Sequence, residues 1–328
     1  MLEDPAYSSL TATGRRKAAL DMEAAARSVK GAEAILSVTA TVSDTLTERF
    51  RIHSNGFEGG SRETVFSPDV TVSIKDADGR RPEDFEYAVR RHQGELPKLE
   101  SIGQKATERT LLRKGAKKIA SGLMPMVIDH RSSARFFSYL TRSLSGFALQ
   151  QRRSFLEGKL DTQIGNTTLD IENDPLVPKG LGSRLFDGEG IAAKRMAIFK
   201  GGVLKSFLID TYYAKKLKVS PTTGSLSNLI WKLGDKAQEA LIADVKEGIF
   251  VSRFLGGNSN DTTGDFSLGI QGFAIRAGKL AEPIAEMNIS GSHLEVWKRL
   301  TALGNDPYPY SPMGAPTLVF EGIQVAGT

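Results

Sequence analysis

Cysteine is absent from this chain of 328 residues, and histidine is scarce, with four copies. The missing thiols exclude disulfides, an iron–sulfur cluster, a thiolate zinc site and a cysteine nucleophile. His53, His92, His130 and His293 are widely separated, so neither a helical His-Glu-x-x-His arrangement nor its one-residue-longer form occurs. A Gly-x-Ser-x-Gly elbow is missing as well, which removes the local signature of a serine hydrolase. No apolar run approaches the roughly 18 residues that span a bilayer. The longest uncharged stretch, residues 307–320, holds four prolines and cannot be a membrane helix. Residues 1–5 are acidic and lack the basic-then-apolar pattern of a secretory signal, so a cytoplasmic location with no membrane partner is expected. A large charge imbalance is lacking too: 43 basic and 38 acidic residues give +5. The excess is spread evenly along the chain, which argues against a nucleic-acid partner.

What is present is ordinary globular material, 40% hydrophobic and 25% charged, with length enough for two domains. Of 33 glycines, 11 fall in residues 1–154 and 22 in 155–328, so the second part should be turn-rich and mostly β. In the first part, residues 15–30 read as a helix with Leu20, Ala24 and Ala25 inward and Gly31 as its cap. Two β-type runs follow, 34–42 and 45–53, separated by a tight connection at Ser43-Asp44. Val70, Val72 and Ile74 alternate with polar residues, and Asp78-Gly79 should turn. Residues 98–119 return to helical spacing with Leu99, Ile102, Ala106 and Leu112 inward. A connector at 121–125 marks the domain boundary, giving domains of 1–124 and 125–328. Beyond it come a short apolar strand at 126–129 and a helix over 132–153 that buries Phe136, Phe137, Leu140, Leu144 and Phe147. Hairpins are expected around Lys200-Gly-Gly202 and Ala277-Gly278, with a late strand at 317–320.

Two kinds of residue could carry chemistry. Asp187, Glu189, Asp265 and Asp306 are each flanked by glycine or turn residues; they either cap turns or line a carboxylate cleft. Residues 105–118 carry six basic side chains and one acid, with Lys105, Arg109 and Arg113 on one helical face. That face is read as solvated, with a nucleic-acid contact as the alternative. The stretch Gly256-Gly-Asn-Ser-Asn-Asp261 lacks the Lys-Ser/Thr of a P-loop.

The C-terminal segments together resemble the TldD/PmbA family, also called the modulator of DNA gyrase family. The matching pieces, in order, are Gly180-Leu-Gly-Ser-Arg-Leu-Phe-Asp-Gly-Glu-Gly190, Tyr213-Ala-Lys-Lys-Leu217, Thr222-Thr-Gly224 and Asn228. They continue with Thr263-Gly-Asp-Phe-Ser267, Gly272, Gly278-Lys279, Pro283, Ile289-Ser-Gly291, Gly304-Asn-Asp306 and Gly314-Ala-Pro316. The resemblance covers about residues 15–328 and is strongest from 180 onward. Within the family the chain looks like the PmbA/TldE branch. The catalytic TldD branch carries a His-Glu-x-x-x-His zinc motif on the helix after the strand at 126–129, and a cysteine ligand near the C-terminal end. Here the expected helix, read from Ser132, has no histidine, and residues 305–316 have no cysteine. Family members also have a longer N-terminal domain, so the first domain is short relative to them.

The resemblance implies an α+β fold: an N-terminal α/β layer, then a large curved, mainly antiparallel β domain that dimerises around an internal channel. It implies a non-catalytic subunit without catalytic residues, metal or cofactor of its own. Zinc belongs to a TldD-like partner subunit, and the complex degrades or processes unfolded peptides; a homodimer is the other assembly. Thr263, Gly264, Asp265, Phe266, Ser267, Asn305 and Asp306 are the residues expected to line the substrate channel. Two alternatives remain at this stage: a regulatory protein that binds DNA gyrase or its toxin directly, and a metallopeptidase in its own right.

Overall fold

Thr11 opens the first helix because its hydroxyl accepts the Gly14 amide at 3.1 Å, satisfying a donor that has no partner inside the helix. Helix α1 (Ala12–Arg27) buries Met22, Ala25 and Ala26, whereas Leu20 is 55% exposed and Ala24 is exposed, so the apolar stripe is rotated from the expected one. The cause is helix α2 (Leu99–Leu111), which approaches so closely that a Cβ on Gly103 would lie 2.1 Å from the Met22 carbonyl oxygen. Only glycine permits that contact. The structure, a computed structural model, describes residues 2–77 and 79–328; Asp78 of the expected Asp78-Gly79 turn lies outside them.

Both helices belong to a unit formed by the residues up to Ala116 together with Pro178–Leu181. Its sheet has the order β1 (Ile35–Ile52), β2 (Glu58–Ile74), β3 (Glu83–Tyr87), all antiparallel. Strand β1 runs unbroken through Ser43-Asp44, against the expected break. Arg15 of α1 grips the Asp44 carboxylate with two hydrogen bonds, 2.5 and 2.8 Å, so a charged residue sits in the strand without forcing a turn. Val70, Val72 and Ile74 are fully buried, as their alternation requires.

Helix α2 stops well short of residue 119. Arg113 is drawn to Asp84 at 2.6 Å and the Gly115 amide to Asp76 at 2.8 Å, which ties residues 113–115 to neighbouring carboxylates instead of a further helical turn. Leu112, expected inward, is consequently 61% exposed. Arg109 pairs with Glu86 at 2.9 Å, so two of the three residues of the basic face are engaged inside the unit. Lys105, the third, is exposed.

The second unit, Lys117–Val177 with Gly182–Thr328, starts with β4 (Gly122–Ile128), α3 (His130–Arg142) and α4 (Gly146–Gln150). The single helix expected over 132–153 is thus two. Leu144 and Gly146 exchange backbone hydrogen bonds with Leu208, both at 2.8 Å, which pulls the chain out of the helix, and Ser145 restarts it by capping the Ala148 amide. Phe136, Phe137, Leu140 and Leu144 are fully buried, but Phe147 lies past the break and is 51% exposed.

A four-stranded antiparallel sheet follows, built from β5 (Ile171–Asp174), β6 (Met196–Lys200), β7 (Val203–Leu204) and, after α5 (Thr211–Leu217), β8 (Asn228–Trp231), in the order β7-β6-β5-β8. Helix α6 (Gln238–Asp244) leads into β9 (Glu247–Ser259), β10 (Asp265–Arg276) and β11 (Lys279–Ser292); then come α7 (His293–Val296), β12 (Leu300–Leu303) and β13 (Leu318–Ala326). The large sheet has the order β11-β10-β9-β4-β13-β12, antiparallel except for the β4–β9 pair. Strand β13 also pairs with β11 from Asn288↔Ala326 to Ser290↔Gln324, so the sheet curls round and closes. The fold is α+β. The Ala277-Gly278 hairpin has both turn residues at positive φ, 49° and 75°, which matches the right-handed twist of its strands. At the centre of the core, Phe136 packs within 5.7 Å of the rings of Phe254, Phe266, His293, Trp297 and Phe320.

Candidate functional site

Strand β4 ends at a residue suited to start a helix. The Asp129 carboxylate accepts the Arg131 amide at 3.1 Å, and its backbone amide donates to Val251 of β9 at 3.0 Å. Helix α3 therefore begins at His130, two residues before the expected start, and takes in a histidine that the sequence reading had left outside it.

The His130 ring sits between two carboxylates. Its Nδ1 lies 3.0 Å from Asp306 Oδ2 and 2.9 Å from the Asp306 backbone oxygen, and its Nε2 lies 3.8 Å from Asp129 Oδ1. The Tyr308 ring is 5.3 Å away. Asp306 is fixed from its other side by Thr317, whose amide donates at 3.0 Å and whose hydroxyl donates at 2.7 Å. Gln238 of α6 completes the cluster, donating to the Thr317 hydroxyl oxygen at 2.9 Å. Gly304 makes room for this: a Cβ there would sit 2.0 Å from Asp306 Oδ1. Asn305 holds the same loop to the segment before α6, through its amide to the Lys236 carbonyl at 2.9 Å and its side chain to the Asp235 carbonyl at 3.2 Å.

Charge state follows from this geometry. Burial works against a protonated His130, but the hydrogen bond to Asp306 and the charges of Asp129 and Asp306 outweigh it and raise the imidazole above its usual 6.5. Burial likewise works against ionised Asp306, and the donors His130 and Thr317 overcome it, holding the carboxyl below its ordinary 3.8. Both directions favour the imidazolium–carboxylate form of the pair over its neutral forms.

The other expected channel residues lie elsewhere in the second unit. Thr263 hydrogen-bonds Asp265 at 2.7 Å in the turn between β9 and β10, and the Gly264 carbonyl accepts the His293 amide at 2.8 Å. Phe266 is buried in the core, 4.9 Å from the His293 ring, and Ser267 stands in register between Asn258 and Ser290. Among the described residues no hydrogen bond joins Thr263–Ser267 to Asn305 or Asp306. His293 is a core residue: Trp297 donates to its Nδ1 at 3.3 Å, Nε2 reaches the Ser259 hydroxyl at 3.2 Å, and burial pushes it down to about 4.

The four candidate carboxylates do not converge. Asp187 accepts the amides of Glu189 and Ile191 within its own loop, Glu189 accepts the Thr211 amide at the start of α5, and Asp265 closes its own turn. Asp306 faces the His130 imidazole, and Asp187 lies within electrostatic reach of Arg184. Sequence reasoning missed His130, Asp129, Thr317 and Gln238 as companions of Asp306. The one available signal was Asp129 directly after an apolar run, a helix N-cap, which would have placed His130 on the helix.

Zinc needs three or four nitrogen, sulfur or carboxylate donors aimed at one point. His130 is the only histidine on α3, and its Nδ1 is already bound to Asp306. Among the described residues no group of three or more His, Cys, Asp or Glu side chains is placed to hold a metal ion. The residues present do not fit a zinc site.

A chain of this architecture falls within a recognised class of metallopeptidase-like proteins. Residues 7–114 match the model of the PmbA/TldA metallopeptidase central domain, and residues 121–327 match that of the C-terminal domain. The chain belongs to the PmbA/TldD family. It is 31% identical over 268 residues to a metalloprotease PmbA homologue of Buchnera aphidicola from Acyrthosiphon pisum, covering 81% of this chain and 60% of that protein. It is 26% identical over 314 residues to metalloprotease PmbA of Escherichia coli O157:H7, covering 93% and 69%. The chain thus spans about 60% of the length of the Buchnera relative. Among solved structures, one described as a candidate modulator of DNA gyrase from Bacteroides thetaiotaomicron superposes with a TM-score of 0.96 at 41% identity, covering all of this chain and 74% of that one. TldE from Thermococcus kodakarensis shares the fold, with a TM-score of 0.86 at 19% identity over 99% of this chain and 77% of that one.

Proposed function

We propose that this chain is the non-catalytic subunit of a TldD/TldE-type metallopeptidase complex that degrades or processes unfolded peptides in the cytoplasm. The observation that carries this reading is the cluster at the start of α3. It holds one histidine, bound to a carboxylate, and offers no second nitrogen or sulfur donor. In this reading the chain has no metal or cofactor of its own, and zinc comes from a TldD-like partner subunit. Asn305 and Asp306, and the turn at Thr263–Ser267, contribute to the wall of the chamber in which peptide is held.

Mixing this chain with a zinc-loaded TldD-type subunit tests the proposal. A complex on a sizing column and a rise in hydrolysis of an unfolded peptide are expected. No complex together with unchanged activity of the partner refutes it. The chain alone should take up less than 0.1 zinc per molecule and cleave nothing; about one tightly bound zinc with peptidase activity would make it a metallopeptidase in its own right. Direct regulation of DNA gyrase gains no support from the basic face of α2, since Arg109 and Arg113 are paired within their own unit.

A further inference from the structure

Three elements of the second unit meet around the His130–Asp306 pair: the start of α3, the loop that begins at Gly304, and α6, whose Gln238 reaches Thr317 and Asp129. In a metal site the ion itself would join such elements. We propose that the His130–Asp306 pair is an electrostatic clasp that positions the 304–317 loop on the start of α3 without metal, and that it loosens as the imidazole loses its proton. The clasp rests on geometry, independently of the subunit reading; only its consequence for peptide handling, through Asn305 and Asp306, depends on that reading.

The contacts form one continuous chain. Asp129 anchors the helix start to β9 through the Val251 carbonyl, and Ser132 adds a hydrogen bond to the Ser252 carbonyl at 2.7 Å, so His130 projects from a fixed backbone. Asp306 receives His130 on Oδ2 and the Thr317 amide on Oδ1. The backbone joins the same two ends of the loop, from the Gly304 amide to the Thr317 carbonyl at 2.8 Å. Remove the positive charge, and the half-buried Asp306 carboxylate keeps Thr317 and, at best, a neutral imidazole N–H as donors, so the hydrogen bond from the ring loses its charge assistance.

The charged groups acting on the ring are Asp306 from the loop and Asp129 from the helix cap; both favour the imidazolium. The Tyr308 ring lies 5.3 Å from the imidazole, and the neutral Gln238 reaches the Thr317 hydroxyl at 2.9 Å and the Asp129 carboxylate at 3.5 Å. Lys236, on the segment before α6, is paired with Asp244 at 2.8 Å. Charge on the histidine therefore sets the strength of the clasp.

The Thr317 amide is a built-in reporter, because its hydrogen bond ends on Asp306. Hydrogen exchange of this amide, corrected for intrinsic rate, is to be measured from pH 6 to pH 9 in the full chain and in His130→Gln. Protection should fall about tenfold in the wild-type protein, the scale of one charge-assisted hydrogen bond, with a midpoint above 6.5. In His130→Gln the fall should be absent, and a chelator should change neither protein. An identical pH dependence in both proteins overturns the clasp. So does a rise in wild-type protection on adding one equivalent of zinc, which would make the cluster a metal site. The wild-type chain also allows a test without any variant: with only four histidines, the His130 ring resonance can be titrated directly, and a midpoint below 6.5 overturns the proposal. None of these measurements involves a partner subunit, so a failure to form a complex would refute the subunit reading and leave the clasp standing.

Discussion

Replacing Gly304 by alanine should unseat Asp306 without touching any charged residue. The added Cβ would lie 2.0 Å from Asp306 Oδ1, 3.0 Å from its Cγ and 3.1 Å from the Thr317 Cβ. No real Cβ contact is that short, so the carboxylate must swing away. In doing so it gives up the Thr317 amide and hydroxyl and the His130 ring together. Hydrogen bonds to a charged group contribute about 1.5–3 kcal/mol each, and partial rearrangement would keep the loss near 3 kcal/mol. The smaller backbone entropy of alanine in the unfolded chain returns about 0.4–1 kcal/mol. The net cost is about 2–2.5 kcal/mol, which for a unit of this size corresponds to a drop in Tm of about 5–8 °C. Calorimetry on wild type and Gly304→Ala measures it, and the His130 titration should move toward 6.5 in the same variant. An unchanged Tm together with an unchanged His130 midpoint would refute the reasoning. Gly256→Ala is the control, because a Cβ there meets nothing within 4 Å.

Phe136→Ala should destabilise the second unit by about 3–5 kcal/mol in urea unfolding, since the ring is fully buried among five other rings and little can collapse into its space. Arg113→Ala should cost about 3–5 kcal/mol in the first unit, because Asp84 would be left as a buried charge without its partner; Arg113→Ala with Asp84→Ala together should cost much less than Arg113→Ala alone. Stability should fall toward both ends of the pH range for different reasons. His293, pushed down to about 4 in the folded protein against 6.5 when exposed, stays neutral in the core while the unfolded chain takes up a proton. Its stabilisation is full above 6.5 and is lost as pH falls toward 4, by about 3 kcal/mol in all. His130 runs the other way: raised in the fold, it contributes fully below 6.5 and the contribution is lost as pH rises through its folded value. Urea midpoints from pH 4 to pH 9 check both; His293→Phe should flatten only the acid limb and His130→Gln only the alkaline one.

How much of this was legible in the sequence varies by element. The alternation of Val70, Val72 and Ile74 and the glycine turns at 201–202 and 277–278 were readable because a strand period of two and a positive φ are local requirements. The limits of the helices were not. Ser43-Asp44 reads as a turn until Arg15 is brought against it, and residues 143–145 read as helix until Leu208 takes their backbone. The stripe of α1 was misplaced because Gly103, some 80 residues away in sequence, decides which face is covered. At the candidate site, Asp306 was picked out among other turn aspartates, while His130 was set aside as one isolated histidine.

The sequence by itself determined the family, the turn-rich character of the second part, and the lack of the paired histidines and the cysteine that a zinc site of the TldD kind would use. These are statements about which residue types exist and in what order, and no folding can supply a side chain that is missing. Only the tertiary structure decided that His130 belongs with Asp306, because their separation of 176 positions in sequence is crossed by the closing of the β4–β13 sheet and the return of the 304–317 loop. A hydrogen bond of 3 Å is a property of that packing, and with it a histidine read as solitary becomes the partner of a half-buried carboxylate.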